Sequence, residues 1–331
     1  MGNSAQRLRI EFIASLVVLV IVALLPIVVT NMYWQGVVIV SLYFALQAMG
    51  WNLLTGYTGQ MNLAPAAFAM VGAYGVGLVT YHFELSPWVG IPVGVASACL
   101  IGLILGRIVL RLQGPYVALT TLSFAEILRL VVGNSYTLTR GDLGLNIPAV
   151  FQGRLPYYYL MLGAVVFVQV ALHVTMRTKV GLFLQAIRDD EVATASRGIS
   201  IVWWKTLAFA ASAAICGLAG TLYAPFAGLI SPELGLILNT GLVISMVVIG
   251  GMGTMVGPVI GALLVYGTTE LLRDFGGYHL IIFALLVIVI ARFFRSGLWG
   301  LLVLVVDRFI AKSIRNQVPD RGTLENVVSQ K

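Results

Sequence analysis

An all-α, polytopic membrane protein is what this sequence predicts, and three observations carry the prediction. Only 10% of the 331 residues are charged against 59% hydrophobic, with a mean hydropathy of +0.96, whereas soluble domains carry roughly a quarter charged residues. Apolar runs of about 20 residues, enough to cross a bilayer as a helix, recur along the chain. The basic residues gather at the ends of those runs, overwhelmingly on one side. That placement accounts for the net charge of +7 without any nucleic acid partner.

Taken in order, the runs predict spans near 10–30, 35–54, 62–81, 88–106, 115–133, 157–176 and 205–227. Further runs fall near 238–250, 257–272 and 278–294, with a short one over 298–306. Arg7 and Arg9 precede a first run long enough to span, so it reads as a retained helix and not as a cleaved leader. With about ten spans and the N-terminus inside, 16 Lys and Arg residues lie inside. Outside lie three, Arg140, Arg154 and Arg273, and Arg129 falls within a span. The expected organisation is one membrane domain over 1–315 and a polar cytoplasmic tail over 316–331, with both termini cytoplasmic. It carries an outer loop at 134–156 and a cytoplasmic loop at 177–205.

Several chemistries find no foothold. Cys99 and Cys216 stand alone in apolar runs, and His82, His173 and His279 have no ligand spacing, so no metal site is expected. No phosphate-binding glycine loop, serine elbow or paired carboxylate occurs, so no catalytic residue is assigned.

Two glycine-rich breaks interrupt the apolar pattern. The first runs from Gly56 through Gly59, Gln60 and Asn62 to Pro65, and the second from Gly250 through Gly251 and Gly253 to Gly257-Pro258. The run before the second has about 13 residues, short of the roughly 20 a straight span needs, which places that break within the bilayer depth. Broken helices in two halves point to a transport pathway. Tight helix packing through small residues is the competing explanation. Glu126 and Arg129, at i and i+3 in one span, read first as a neutralising pair that fixes packing and second as a functional group.

The most unusual stretch is the charged island from Arg177 to Lys205. No charged residue occurs between Glu11 and Glu84, yet Arg188, Asp189, Asp190, Glu191 and Arg197 fall within ten positions. Lipid cannot hold such a cluster, so it meets water or another protein. Residues 182–197 are expected to form one helix, with acidic groups early, Arg197 late, small Ala193 and Ala195, and Gly198 as its cap.

Four blocks, LLTGYTGQMNLAPAAFAMVGAY (53–74), GPYVALTTLSFAEILRLV (114–131), AIRDDEVATASRGISIVWWKTLAFAASAAICGLAGTLYA (186–224) and MVVIGGMGTMVGPVIGALLV (246–265), resemble the permease subunits of branched-chain amino acid ABC importers, of the LivM type. The resemblance spans roughly 35–300. It implies a bacterial inner-membrane location and import of branched-chain or other neutral amino acids, with urea, short amides or aromatic acids as alternative cargo. It also implies a second, LivH-like permease, two ATPase subunits that bind ATP and Mg, and an external substrate-binding protein. No cofactor would be bound by this chain itself, whose remaining partner is membrane lipid. Arg188, Asp189, Asp190, Glu191, Ala195, Arg197 and Gly198 would then belong to a coupling helix seated on an ATPase. Gly56, Gly59, Gln60, Asn62, Gly251 and Gly253 would help line the pathway. In the general importer pattern a Glu stands where this chain has Val192, and many relatives have Gly-His where it has Ala64-Pro65. An ion-gradient-driven secondary transporter is the rival of a different class.

Overall fold

In this computed structural model the described residues are 2–28, 30–109, 112, 114–273 and isolated positions between 284 and 300. The expected runs at 278–294 and 298–306 and the tail at 316–331 therefore lie largely or wholly outside the described residues. Among those described, six helices are long and apolar enough to cross a membrane.

Helix α1 is Gly2–Val28, and α2 is Met32–Trp51, continued by a wide π turn over Asn52–Tyr57. Then come α3 (Pro65–Phe83), α4 (Pro87–Val109), α5 (Pro115–Asn134) and the single turn α6 (Tyr136–Thr139). Strand β1 (Leu145–Asn146) precedes α7 (Leu155–Arg177), α8 (Lys179–Asp189), α9 (Glu191–Ser196) and α10 (Ile201–Ala227). The chain continues through β2 (Leu229–Ile230) to α11 (Ile237–Gly250) and α12 (Gly257–Leu271). Prolines open α3, α4, α5, α7 and α12, where the missing N–H is an orphan in any case.

Helix α2 is apolar all round, the pattern of a helix with no solvent face. It is the centre of the bundle, with Ile39, Leu42, Ala45, Leu46 and Ala48 fully enclosed by α1, α7, α10, α11 and α12. Beside it, α3, α4 and α10 close on one another through glycine. A Cβ on Gly220 would lie 1.8 Å from the Ala69 carbonyl oxygen, and one on Gly72 would lie 2.1 Å from that of Gly217. Without a hydrophobic force between helices in lipid, such backbone approach supplies the dispersion contacts that hold them. Packing through small residues accounts for these glycines, which lie outside the two breaks.

The loop at 134–156 is tied down more than its turn-rich sequence suggests. β1 pairs antiparallel with β2, Leu145 opposite Ile230, and the Ile147 N–H donates to the Gly228 carbonyl at 2.8 Å. Leu145, Ile147 and Ile230 then pack on Met70, Tyr74 and Val76 of α3. This two-residue ladder is the one departure from an all-α architecture among the described residues.

Candidate functional site

The island is two helices and not the single helix expected over 182–197. Asp190 leaves the helical region (φ −157°, ψ 110°), and its carboxylate accepts from the N–H groups of Val192 and Ala193 at 2.9 and 3.0 Å. An aspartate offered free N–H groups favours capping a new helix over extending the old one. Gly198 ends α9 in the left-handed region (φ +80°), as expected of a residue after a helix end. Helix α8 buries Gly181, Leu184 and Ile187, spaced i, i+3, i+6, against the membrane helices. Helix α9 exposes Glu191, Val192, Ala193, Ala195 and Arg197 and buries only Thr194, whose hydroxyl donates to the Ala186 carbonyl at 2.9 Å. Lys205, buried at the foot of α10, donates to Glu191 Oε1 and fastens α9 from below.

At the root of this island the two glycine breaks meet. Arg188 Nη1 donates to the Gly56 carbonyl at 2.8 Å, and Arg188 also lies 3.4 Å from Asp189. Its aliphatic stem runs so close to Gly59 (φ +75°) that a Cβ there would sit 2.8 Å from Arg188 Cγ. Asn52, 3% exposed, bridges to the second break: its Nδ2 donates to the Thr254 carbonyl and its Oδ1 accepts from the Gly253 N–H, both at 2.8 Å. Gly253 is within reach of Arg188 as well, since a Cβ there would lie 3.5 Å from Nη1.

The second break is further satisfied from two other helices. The Met255 N–H donates to Glu11 Oε2 at 3.2 Å, and Gln169 Nε2 donates to the Met255 carbonyl at 3.0 Å. Irregular backbone inside a membrane protein needs such partners. α1, α7 and the π turn after α2 each supply one, while Met252 at the tip of the break stays exposed. Gly56, Gln60, Asn62 and Gly251 are buried. Asn62 is held in place, its Oδ1 accepting from the Ala64 N–H at 3.0 Å.

A cavity of about 920 Å³ opens beside this knot, lined by Gly59, Gln60, Met61, Pro115, Glu191 and Lys205 among others. Gln60 Oε1 is buried beside it without a hydrogen-bond partner. Of the residues expected to line a pathway, Gly59 and Gln60 reach this cavity, while Gly251 and Gly253 belong to the knot. Glu126 and Arg129 lie away from it and form the expected pair, with Nη2 2.5 Å from Oε1.

Asn52 and Lys205 were not singled out by the sequence reading. A buried amide must find partners, and an asparagine four residues before a glycine break inside an apolar run is the signal that would have found the first. Lys205 is the last cation before a long apolar run and carries no sharper mark.

The arrangement therefore joins an exposed charged helix pair to two broken membrane helices. The family model for the branched-chain amino acid transport system permease component matches residues 33–291. The chain belongs to this family. It is 30% identical over 290 residues to the high-affinity branched-chain amino acid transport permease LivM of Escherichia coli, covering 78% of this chain and 68% of LivM. To LivH of Salmonella typhimurium it is 25% identical over 285 residues, covering 77% and 92%. To the fructose import permease FrcC of Rhizobium meliloti it is 25% identical over 246 residues, covering 70% and 67%. It is a multi-pass membrane permease component of the LivM kind.

Proposed function

We propose that this permease is one half of the membrane channel of an ATP-driven importer for branched-chain or other neutral amino acids. It pairs with a LivH-like permease, receives cargo from an external binding protein and is driven by two ATPase subunits on which ATP and Mg are bound. Both termini and the island face the cytoplasm, as the basic-residue bias requires. Residues Arg188, Asp189, Asp190, Glu191, Ala195, Arg197 and Gly198 meet the ATPases, with exposed Val192 at the centre of the contact.

The observation that carries this reading is the bond from Arg188 to Gly56 at 2.8 Å. Any displacement of α8 and α9 acts directly on the first break and, through Asn52, on the second. The switch between inward- and outward-open states is then a movement of α2, α11 and α12 at this knot, with Gly59 and Gln60 on the wall of the inner cavity. FrcC, and the ribose import permease of Haemophilus influenzae at 26% identity, are import permeases for sugars, which favours other cargo as the second reading.

Purification of the tagged chain from native membranes tests the proposal. Two ATPases and a second permease should accompany it and be lost on Arg188→Glu with Glu191→Lys. A chain that elutes alone and transports by itself in an ion gradient overturns it.

A further inference from the structure

Helix α5 places an ion pair where lipid would otherwise be. Glu126 lies 11 residues beyond Pro115, about 16 Å along the axis at 1.5 Å per residue. That is halfway across a hydrocarbon core of about 30 Å. Its side chain is 46% exposed and that of Arg129 is 23% exposed. The same face carries exposed Leu119, Ser123, Ile127 and Leu130.

The exposed apolar residues of α5 match those of other spans, and what sets its face apart is the charged pair among them. α4 exposes Val93, Leu100, Leu103 and Ile104 at these depths, and α7 exposes Phe167, Val170 and Val174. Those faces suit acyl chains. A half-exposed carboxylate and guanidinium do not, since an ionised group in hydrocarbon costs several kcal/mol. One flank of Arg129 is shielded by the turn at Pro232–Gly235, where a Cβ on Gly235 would lie 3.6 Å from its Cγ. Glu126 has no such cover among the described residues.

We infer that the α5 face bearing Ser123, Glu126 and Arg129 is a water-facing wall of the transport pathway, and that the Glu126–Arg129 pair is a station for an amino acid zwitterion. The inference rests on the importer reading above and adds to it a substrate contact. The substrate carboxylate takes Arg129, whose planar fork donates two hydrogen bonds to it. The ammonium takes Glu126. One ion pair is exchanged for two, so no charge is left uncompensated at any point. A simple anion or cation would strand one partner, and a buried unpaired charge is the costly case. A sugar offers no charge to exchange.

The test labels Ser123→Cys, with Cys99→Ala and Cys216→Ala, in native membrane vesicles of both orientations. The probes are a membrane-impermeant cationic methanethiosulfonate and a lipid-soluble maleimide. Labelling by the charged reagent, slowed at least fivefold by saturating leucine but not by fructose, supports the station. Labelling by the maleimide alone places the face in lipid and overturns it. Labelling by neither places it in a dry interface and overturns it too. Labelling by the charged reagent without leucine protection overturns the station while leaving a wet wall.

A second variant separates substrate contact from packing. Glu126→Arg with Arg129→Glu keeps an i, i+3 pair but reverses its order along the helix. The station predicts a KM for leucine import raised at least tenfold, with kcat changed by less. Import at the original KM assigns the pair to packing alone and overturns the station. Failure of the importer reading itself would show separately, as absence of ATPases from the purified complex.

Discussion

Replacing Asn52 by alanine removes a side chain that ties the end of α2, just before the first glycine break, to the backbone of the second at Gly253 and Thr254. The substitution deletes a donor to the Thr254 carbonyl and an acceptor for the Gly253 N–H, both bonds at 2.8 Å, in a site where Asn52 is 3% exposed. Each stranded group sits on a partly buried residue and costs about 1 kcal/mol, the low end of the range for groups kept from water. Two of them weaken the junction by about 2 kcal/mol, which is roughly a 30-fold rise in the population of its open form. Met255 keeps its own partners, Glu11 and Gln169, so the effect is local. The assay is amide hydrogen exchange on the purified permease in lipid nanodiscs, because exchange rates follow local opening. The Gly253 amide should exchange about 30-fold faster, while amides of α10 around Gly217 and Gly220 stay as they were. Unchanged exchange at Gly253 would refute the clamp and with it the link between the breaks.

Other expectations follow from the same contacts. Gly220→Leu cannot be accommodated beside the Ala69 carbonyl, whereas Gly163 has nothing within 4 Å of a Cβ. Melting followed by size exclusion should show Gly220→Leu lost from the folded peak and Gly163→Ala equal to or above wild type, by up to about 1 kcal/mol. Lys205→Met releases Glu191, so trypsin should cut after Arg197 several-fold faster. The exchange Glu191→Lys with Lys205→Glu should restore resistance at Arg197 itself, the new tryptic site at position 191 being scored separately, and unchanged cleavage in Lys205→Met would refute the fastening of α9. Arg188→Ala removes the bond to the Gly56 carbonyl and should cut leucine import per assembled complex at least tenfold; import at the wild-type rate would refute the tie from α8 to the first break.

Hydropathy located the spans well because the signal is local: α3, α4, α5, α7 and α10 fall within a few residues of the apolar runs that announced them. The short run before Gly250 matches a short helix, α11, which has 14 residues and ends at Gly250. The knot was not legible for the opposite reason. Asn52 and Gly253 are 201 residues apart, and no periodicity carries information over that separation. The break at Asp190 was readable in principle. Asp190-Glu191 ahead of small residues is an N-cap signature, but inside a charged run it is also an ordinary stretch of amphipathic helix. The β1–β2 ladder joins two-residue strands, too short for alternation to register.

The ladder has a mechanical consequence. Helix α11, about 21 Å long at 1.5 Å per residue, is fixed at both ends. One end follows β2 and the turn at Pro232–Gly235, which are stitched to the 134–156 loop. The other end runs into the backbone gripped by Asn52, Glu11 and Gln169. A short rod held at both ends has little freedom to bend or slip. Whatever presses on the loop shifts α11 along its axis and is delivered at the far side to the glycine joint at Gly251 and Gly253, with one stiff strut in between.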